Sequence, residues 1–431
     1  MDDIKKNNIY KLEIIDITHE GMGIAKYAAF PIFVAYALKD EVVDVKIIKV
    51  TKKYAIGKLV KIYKKAKDRV APFCDVFKRC GGCDLQHINY KEQLNIKKQI
   101  VENNLRRIGG FTDIKVKEII GMEYPYEYRN KVQYPILNNE VGFYAKKSHD
   151  IIVHNECKIQ SDIINDIVDY LKQKLDNNIR HIVFRSGDEG VMLILVSNIT
   201  STNIDINKLI IKFPIIKTIV LNHNNTNTNV VMSKKNKILY GKGYIEDALL
   251  ENTFRISPNS FYQVNKSQTE VLYKKAIQLA NIDKTHTVLD LYCGIGTIAL
   301  SVAKQAKKVI GIETVEEAIK DANVNKKNNK INNVQFICNK AEDEIVRLYD
   351  KEIKADVVII DPPRKGCDRR LIDTIIKMNV NKIVYISCES STLARDLEIF
   401  CKNYYNTKEV IAIDMFPHTK HVETVTLLER K

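Results

Sequence analysis

From about residue 286 onward the sequence alternates apolar β-type runs with helical stretches, and this alternation restricts the fold more than any other feature. "HTVLDLYC", "KVIGIE", "NVQFIC", "DVVIID" and "KIVYISC" read as strands, and "TIALSVAKQA", "RRLIDTIIKM" and "TLARDLEIF" as helices. Strands that alternate with helices build a mostly parallel, doubly wound sheet, with ligands beyond the carboxyl ends of its strands. The fold expected for residues 256–431 is therefore α/β and Rossmann-like.

The first strand runs into "LDLYCGIGTIAL", with Gly294 and Gly296 in the turn, where missing side chains let a ligand approach the backbone. Glu313 ends the next strand and is placed to hold ribose hydroxyls, which suits a nicotinamide cofactor as well as S-adenosylmethionine. Asp290 ahead of the glycines and "DPPR" at 361–364 shift the balance to the sulfonium cofactor. Pro362 and Pro363 fix the backbone after Asp361 and remove two donors, which holds that carboxylate in one place. Methyltransferases of exocyclic amines continue a similar loop with an aromatic residue; here Arg364 follows, which argues against amine methylation.

Cys388 lies at the end of a strand and before a helix whose first turn favours a thiolate, with Ser390 or Ser391 as a candidate cap. A thiol there is either a small buried apolar group or a nucleophile facing the crevice. Neither Thr-Cys nor Pro-Cys occurs, which sets aside the cytosine-5 type of RNA methyltransferase.

Ahead of this region, short strand-like runs over residues 1–63 suggest a small β-barrel. Its last strands carry Lys46, Lys49, Lys58, Lys61 and Lys64 with Tyr54 and Tyr63, either a solvated lysine face or an RNA-binding surface. Net charge is +15, which suits a polyanionic partner. Residues 64–255 form a central α+β part. A helix is expected over 90–108, with apolar positions at Leu94, Ile96, Ile100, Val101, Leu105 and Ile108, and it is free to pack on the catalytic domain. "IRHIVFRSG" and "VMLILVSN" read as strands, and "LNHNNTNTNVV" as a turn or surface loop.

Of nine cysteines, Cys74, Cys80 and Cys83 are closely spaced, and Cys157 is the obvious fourth ligand. Four thiolates suit zinc or an iron–sulfur cluster, and spacing alone leaves both open. The opening "MDDIKKNNIY" has no apolar signal core, and no apolar run reaches the roughly 18 to 20 residues that span a bilayer. A cytoplasmic protein without membrane contact is expected.

Taken together, Asp-x-Tyr-Cys-Gly-x-Gly, Asp-Pro-Pro-Arg, Ser-Cys before Thr-Leu-x-Arg-Asp, and "HVET" resemble the RNA uracil-5-methyltransferase family, a class I S-adenosylmethionine-dependent group. The resemblance implies Cys388 as nucleophile, Glu423 as proton acceptor and Asp361 near the target ring. It implies cofactor contacts from Gln263 in "SFYQVN", Tyr292, Glu313 and Asp361, alongside Asp290, Gly294 and Gly296 of the loop. The cysteine spacing resembles the 4Fe-4S site of the branch that makes 5-methyluridine in 23S ribosomal RNA, and the barrel resembles that branch's TRAM domain. The tRNA-specific branch typically lacks both parts. The expected function is 23S ribosomal RNA methylation by a monomer, with tRNA methylation or a non-catalytic RNA-binding assembly factor as alternatives. Glu389-Ser390 stands where the family often has Asn-Pro, and Thr297 where it often has asparagine.

Overall fold

The computed structural model describes residues 4–18, 20–226 and 228–431. Residues 1–3 of the opening stretch and Asn227 of the asparagine-rich stretch lie outside the described residues. No helix among the described residues is long and apolar enough to cross a membrane.

The strands Ile9–Ile17, Gly23–Tyr27, Phe30–Ala35, Val42–Val50 and Ala55–Lys64 close into a five-stranded barrel. Alternation of side chains sends Leu12, Ile14, Ile32, Val34, Val43, Val45 and Ile47 inward. Of the two anticipated stacking rings, Tyr54 packs on Phe33 at 5.3 Å, and Tyr63 has Lys11 and Lys61 over its ring at 4.4 and 4.7 Å. The barrel is docked at its root. Arg69 grips the wholly buried Glu41 carboxylate at 2.5 and 2.8 Å and donates to the Tyr36 carbonyl at 2.6 Å. Leu38 of the barrel joins Leu85, Ile88 and Ile96 in a small apolar cluster.

The expected helix spans Tyr90–Arg107, capped by Asn89, whose side chain accepts from Glu92 N–H at 2.8 Å. Its inner face includes Ile96, Val101 and Leu105 and, unexpectedly, Gln93 and Lys97. Val101 and Leu105 share a core with Leu393, Ala394 and Leu397 of the helix Ser390–Cys401. The short strand Glu118–Ile120 then pairs in parallel with Tyr405–Ile413. The stretch 90–120 therefore packs with the catalytic layer.

The central sheet orders Asn236–Gly241, Ile216–His223, Gly190–Ser197, Ile179–Gly187, Lys131–Leu137 and Glu140–Val141. One face packs on the helices Asp162–Lys172 and Ile206–Lys212; Val183, Met192, Ile194 and Val220 on the other share a core with Leu272 and Phe254. Burial on both faces explains why "VMLILVS" reads as an unbroken apolar run. The asparagine-rich stretch begins inside the strand that ends at His223.

The catalytic sheet orders Val334–Cys338, Lys308–Glu313, Thr287–Leu291, Val357–Ile360, Lys382–Ser387, Glu423–Arg430, Tyr405–Ile413 and Glu118–Ile120. The first five run parallel, and Glu423–Arg430 lies antiparallel to both neighbours. Helices cover both faces. The strand order reverses beside Thr287–Leu291, and a crevice opens there at the carboxyl ends.

Candidate active site

Tyr292, Gly294 and Gly296 follow the strand Thr287–Leu291 in left-handed conformations, with φ of 68°, 55° and 83°. The two glycines are needed for different reasons. A Cβ on Gly294 would meet nothing within 4 Å, so its bare side faces open space, whereas one on Gly296 would lie 2.6 Å from Phe336. Gln263, Tyr292, Gly294 and Asp361 line one cleft with Phe261, Tyr262, Tyr273 and Thr297. Ser257 and Ser260 hold the approach to Gln263 by donating to Asp321 at 2.8 and 2.5 Å.

Glu313 lies one step back. Its carboxylate accepts from the N–H groups of Gly294 at 3.2 Å, Thr314 at 2.7 Å and Val315 at 2.9 Å, and so braces the glycine turn. Asp290 is fully buried and, apart from the weak pull of the Ala299 N–H, its carboxyl oxygens are without a hydrogen-bond partner. Burial, with Asp361 and Glu313 nearby, raises its pKa well above the carboxylate range.

At the same end of the sheet, Ser387 pairs with Thr424, so Cys388 and Glu423 occupy adjoining positions where the two antiparallel strands leave the ladder. Asp361 follows Ile360, which pairs with both Leu291 and Tyr385. Burial first, then Glu423 and Asp361, push the Cys388 thiol up to about 12, with Arg364 pulling the other way. The expected thiolate-favouring effect of the helix start is thus outweighed by desolvation and two carboxylates. Burial likewise raises Asp361 to about 7 and Glu423 to about 8, the latter helped by Asp361 and opposed by Arg364.

The four cysteines Cys74, Cys80, Cys83 and Cys157 line one cavity of about 790 Å³, which extends past Phe261 and Tyr262 to Arg364 and His421. None of the four is in a disulfide. Burial, reinforced by the neighbouring thiols, pushes Cys83 and Cys157 up to about 12, and the Gly82 N–H donates to Cys80 Sγ at 3.3 Å. The donor set is right for a soft metal. No group of three or more His, Cys, Asp or Glu side chains among the described residues is drawn into a metal-ion site.

A family model for tRNA (uracil-5-)-methyltransferases matches residues 89–431. The chain belongs to this family. A TRAM domain model matches residues 5–60, which is the closed barrel. A protein of Staphylococcus epidermidis named as an uncharacterized RNA methyltransferase is 44% identical over 454 residues, covering 100% of this chain and 99% of the relative. One of the same description from Clostridium tetani is 44% identical over 449 residues, covering 99% of this chain and 97% of its own. The crystal structure of Pyrococcus abyssi tRNA (uracil-54, C5)-methyltransferase with S-adenosyl-L-homocysteine is similar at a TM-score of 0.80 and 27% identity, covering 97% of this chain and 99% of that one. The protein is thus an S-adenosylmethionine-dependent RNA uracil-5-methyltransferase.

Several features of this uracil-5-methyltransferase were not legible in advance. Asp396, in the quoted Thr-Leu-x-Arg-Asp motif, accepts from Cys367 N–H at 2.8 Å and Tyr385 OH at 2.6 Å, while Arg395 donates to Asp396 at 2.7 Å and to the Lys365 carbonyl at 2.9 Å. Thr392 donates to the Arg364 carbonyl at 3.2 Å. The motif after the thiol is therefore the clamp on the Asp-Pro-Pro-Arg loop. The two departures from the family pattern also find their places. Glu389, not Ser390 or Ser391, caps the helix Ser390–Cys401, accepting from Ser391 N–H at 3.4 Å and its hydroxyl at 2.8 Å. The hydroxyl of Thr297 lies 3.0 Å from that of Tyr273.

Proposed function

We propose that the enzyme methylates carbon 5 of a uridine in 23S ribosomal RNA through a covalent adduct on Cys388. The observation that carries this reading is the adjoining placement of Cys388 and Glu423, with Asp361 and Arg364 close enough to act on both.

Carbon 5 of uracil is a weak nucleophile, and addition of a thiolate to carbon 6 makes it an enolate carbon. With a pKa near 7, Asp361 is partly ionised at neutral pH, which suits it to take the thiol proton in this reading. The Cys388 sulfur then bonds to carbon 6, and carbon 5 takes the methyl group. S-adenosylmethionine, when bound, supplies that group as an electrophile, in the cleft lined by Gln263, Tyr292, Gly294 and Asp361. Glu423 removes the remaining carbon 5 proton, the carbon–sulfur bond breaks, and the thiolate is released. A base with a pKa near 8 is well matched to this step at neutral pH. Glu313 braces the glycine turn from behind. A base inside a stack cannot reach Cys388, so the target nucleotide is extruded into the crevice.

We assign the four cysteines to a 4Fe-4S cluster with zinc as the lesser choice; that all four line one cavity supports it. Its role is to hold the cysteine segment and to position RNA. The +15 charge and the barrel lysines fit an RNA partner. One observation favours tRNA instead: the Pyrococcus abyssi relative, alike over 97% of this chain, is named as a tRNA enzyme. Transfer of labelled methyl from S-adenosylmethionine to total RNA from cells lacking the protein separates the two. Label in 23S RNA at 5-methyluridine is expected, and label in tRNA alone sinks the ribosomal assignment.

A further inference from the structure

The strand Glu423–Arg430 is reached through a connection, Asp414–Val422, with no helix or strand of its own. Asn265 donates to the Met415 carbonyl at 3.0 Å, and most of the other contacts that fix the connection come from more than 280 residues earlier in the chain. Lys97 Nζ, with no solvent exposure, donates to Asp414 at 2.5 Å and to the Phe416 carbonyl at 2.9 Å. Tyr90 OH donates to the other Asp414 oxygen at 2.8 Å. His418, held at a φ of 66°, offers its carbonyl to the N–H groups of Asp84 and Leu85, both at 2.9 Å, and its own N–H to Gln93 at 3.1 Å. Asp84 also accepts from the Lys420 N–H at 3.3 Å, three residues before Glu423. Asp84 directly follows Cys83. The cysteine segment and the helix Tyr90–Arg107 thus form a bracket around the approach to Glu423, although neither touches the reacting groups.

We infer that Asp84 and the Lys97–Asp414 pair are positioning residues for Glu423, so that the cysteine-bearing segment sets the geometry of proton removal at carbon 5. The inference rests on the reading of Glu423 as the base. Its chemical consequence is specific. If Glu423 is displaced while Cys388 stays on its strand, thiolate addition and methyl transfer proceed, but the carbon 5 proton has no acceptor. The carbon–sulfur bond then persists, and enzyme remains attached to methylated RNA. A merely structural role would lower folding, RNA binding and turnover together.

The test uses the full-length protein, S-adenosylmethionine and total RNA from cells lacking the protein. Asp84→Ala removes the Lys420 contact at a partly exposed site, and Asp84→Asn keeps an acceptor oxygen there. Lys97→Met combined with Asp414→Leu removes both buried charges at once, so that neither is stranded. Expected for Asp84→Ala and for the double variant are at least a tenfold fall in turnover, less than a twofold change in RNA affinity, and a protein–RNA complex that survives denaturation. Asp84→Asn recovers most of the turnover. Glu423→Gln is the control, and it must accumulate the same complex. Absence of the complex in Glu423→Gln overturns the base assignment. Its presence there but not in the other two variants, whether they keep full turnover or lose binding and turnover together, overturns the positioning inference.

Discussion

Thr424 donates its hydroxyl to the Ser387 carbonyl at 3.1 Å, across the same antiparallel pair that the two residues share in the ladder. Side chain and backbone therefore fix one register, and a slip by one residue would turn Glu423 to the opposite face of the sheet from its present one. This register sets the thiol and the carboxylate side by side, and the bracketed connection ahead of Glu423 holds the carboxylate's approach.

From that adjacency, Cys388→Ala is expected to retain RNA binding while losing methylation entirely. On 5-fluorouridine RNA the unaltered enzyme should form a denaturation-resistant complex, because fluorine at carbon 5 leaves no proton to remove, and the variant should form none. Gel mobility under denaturing conditions reads both, and turnover by Cys388→Ala would remove the thiol from the mechanism.

Stability should fall with rising pH through the range set by Glu423. Its carboxyl is raised from 4.5 to about 8 by burial and by Asp361, so the folded state binds more protons than the unfolded one between these values. The protonated form's advantage is complete below about 4.5 and lost as pH passes about 8, with an upper limit of about 5 kcal/mol. Glu423→Gln should flatten that decline and raise Tm more at pH 8.5 than at pH 5.5. Equal Tm changes at the two pH values would contradict it.

The two glycines of the cofactor turn should fail differently. Gly294→Ala places a methyl in the open side of the cleft, with a left-handed backbone penalty of about 1–2 kcal/mol and no protein clash. Its main effect should be a rise of at least tenfold in KM for S-adenosylmethionine. Gly296→Ala drives a Cβ to 2.6 Å from Phe336 and should lower Tm first. Pairing Gly296→Ala with Phe336→Leu should recover part of that loss.

Protein prepared without oxygen should be brown, with iron and sulfide bound. Cys83→Ser should lower the iron content and the colour, whereas Cys338→Ser, at an exposed thiol outside the cavity, should change neither. A colourless protein with one zinc per chain would reverse the assignment.

The sequence carried the periodic elements plainly, because the residues that define them are neighbours in the chain. The strands ending at Leu291, Ile360 and Ser387 and the helix from Tyr90 all follow from local apolar spacing and turn residues. What local spacing hides is pairing at a distance. Gln93 and Lys97 are polar, yet both are buried on the helix's inner face, because their partners Asp414, Phe416 and His418 lie more than 300 residues away in the chain. Strand Glu118–Ile120 is three residues long and gains its pairing from Tyr405–Ile413. The cap on Ser390–Cys401 was misplaced because serine and glutamate both have oxygens in reach, and only the extended backbone at Glu389 decides between them.

The arginine at the foot of the N-terminal barrel has one more implication. With Arg69 locked on Glu41 and Leu38 seated against Leu85, Ile88 and Ile96, the barrel is a fixed jaw rather than a bead on a string. On the proposed function, an RNA held by that jaw would meet Cys388 at one constant span, and the separation of two fixed points would select the uridine as a caliper does.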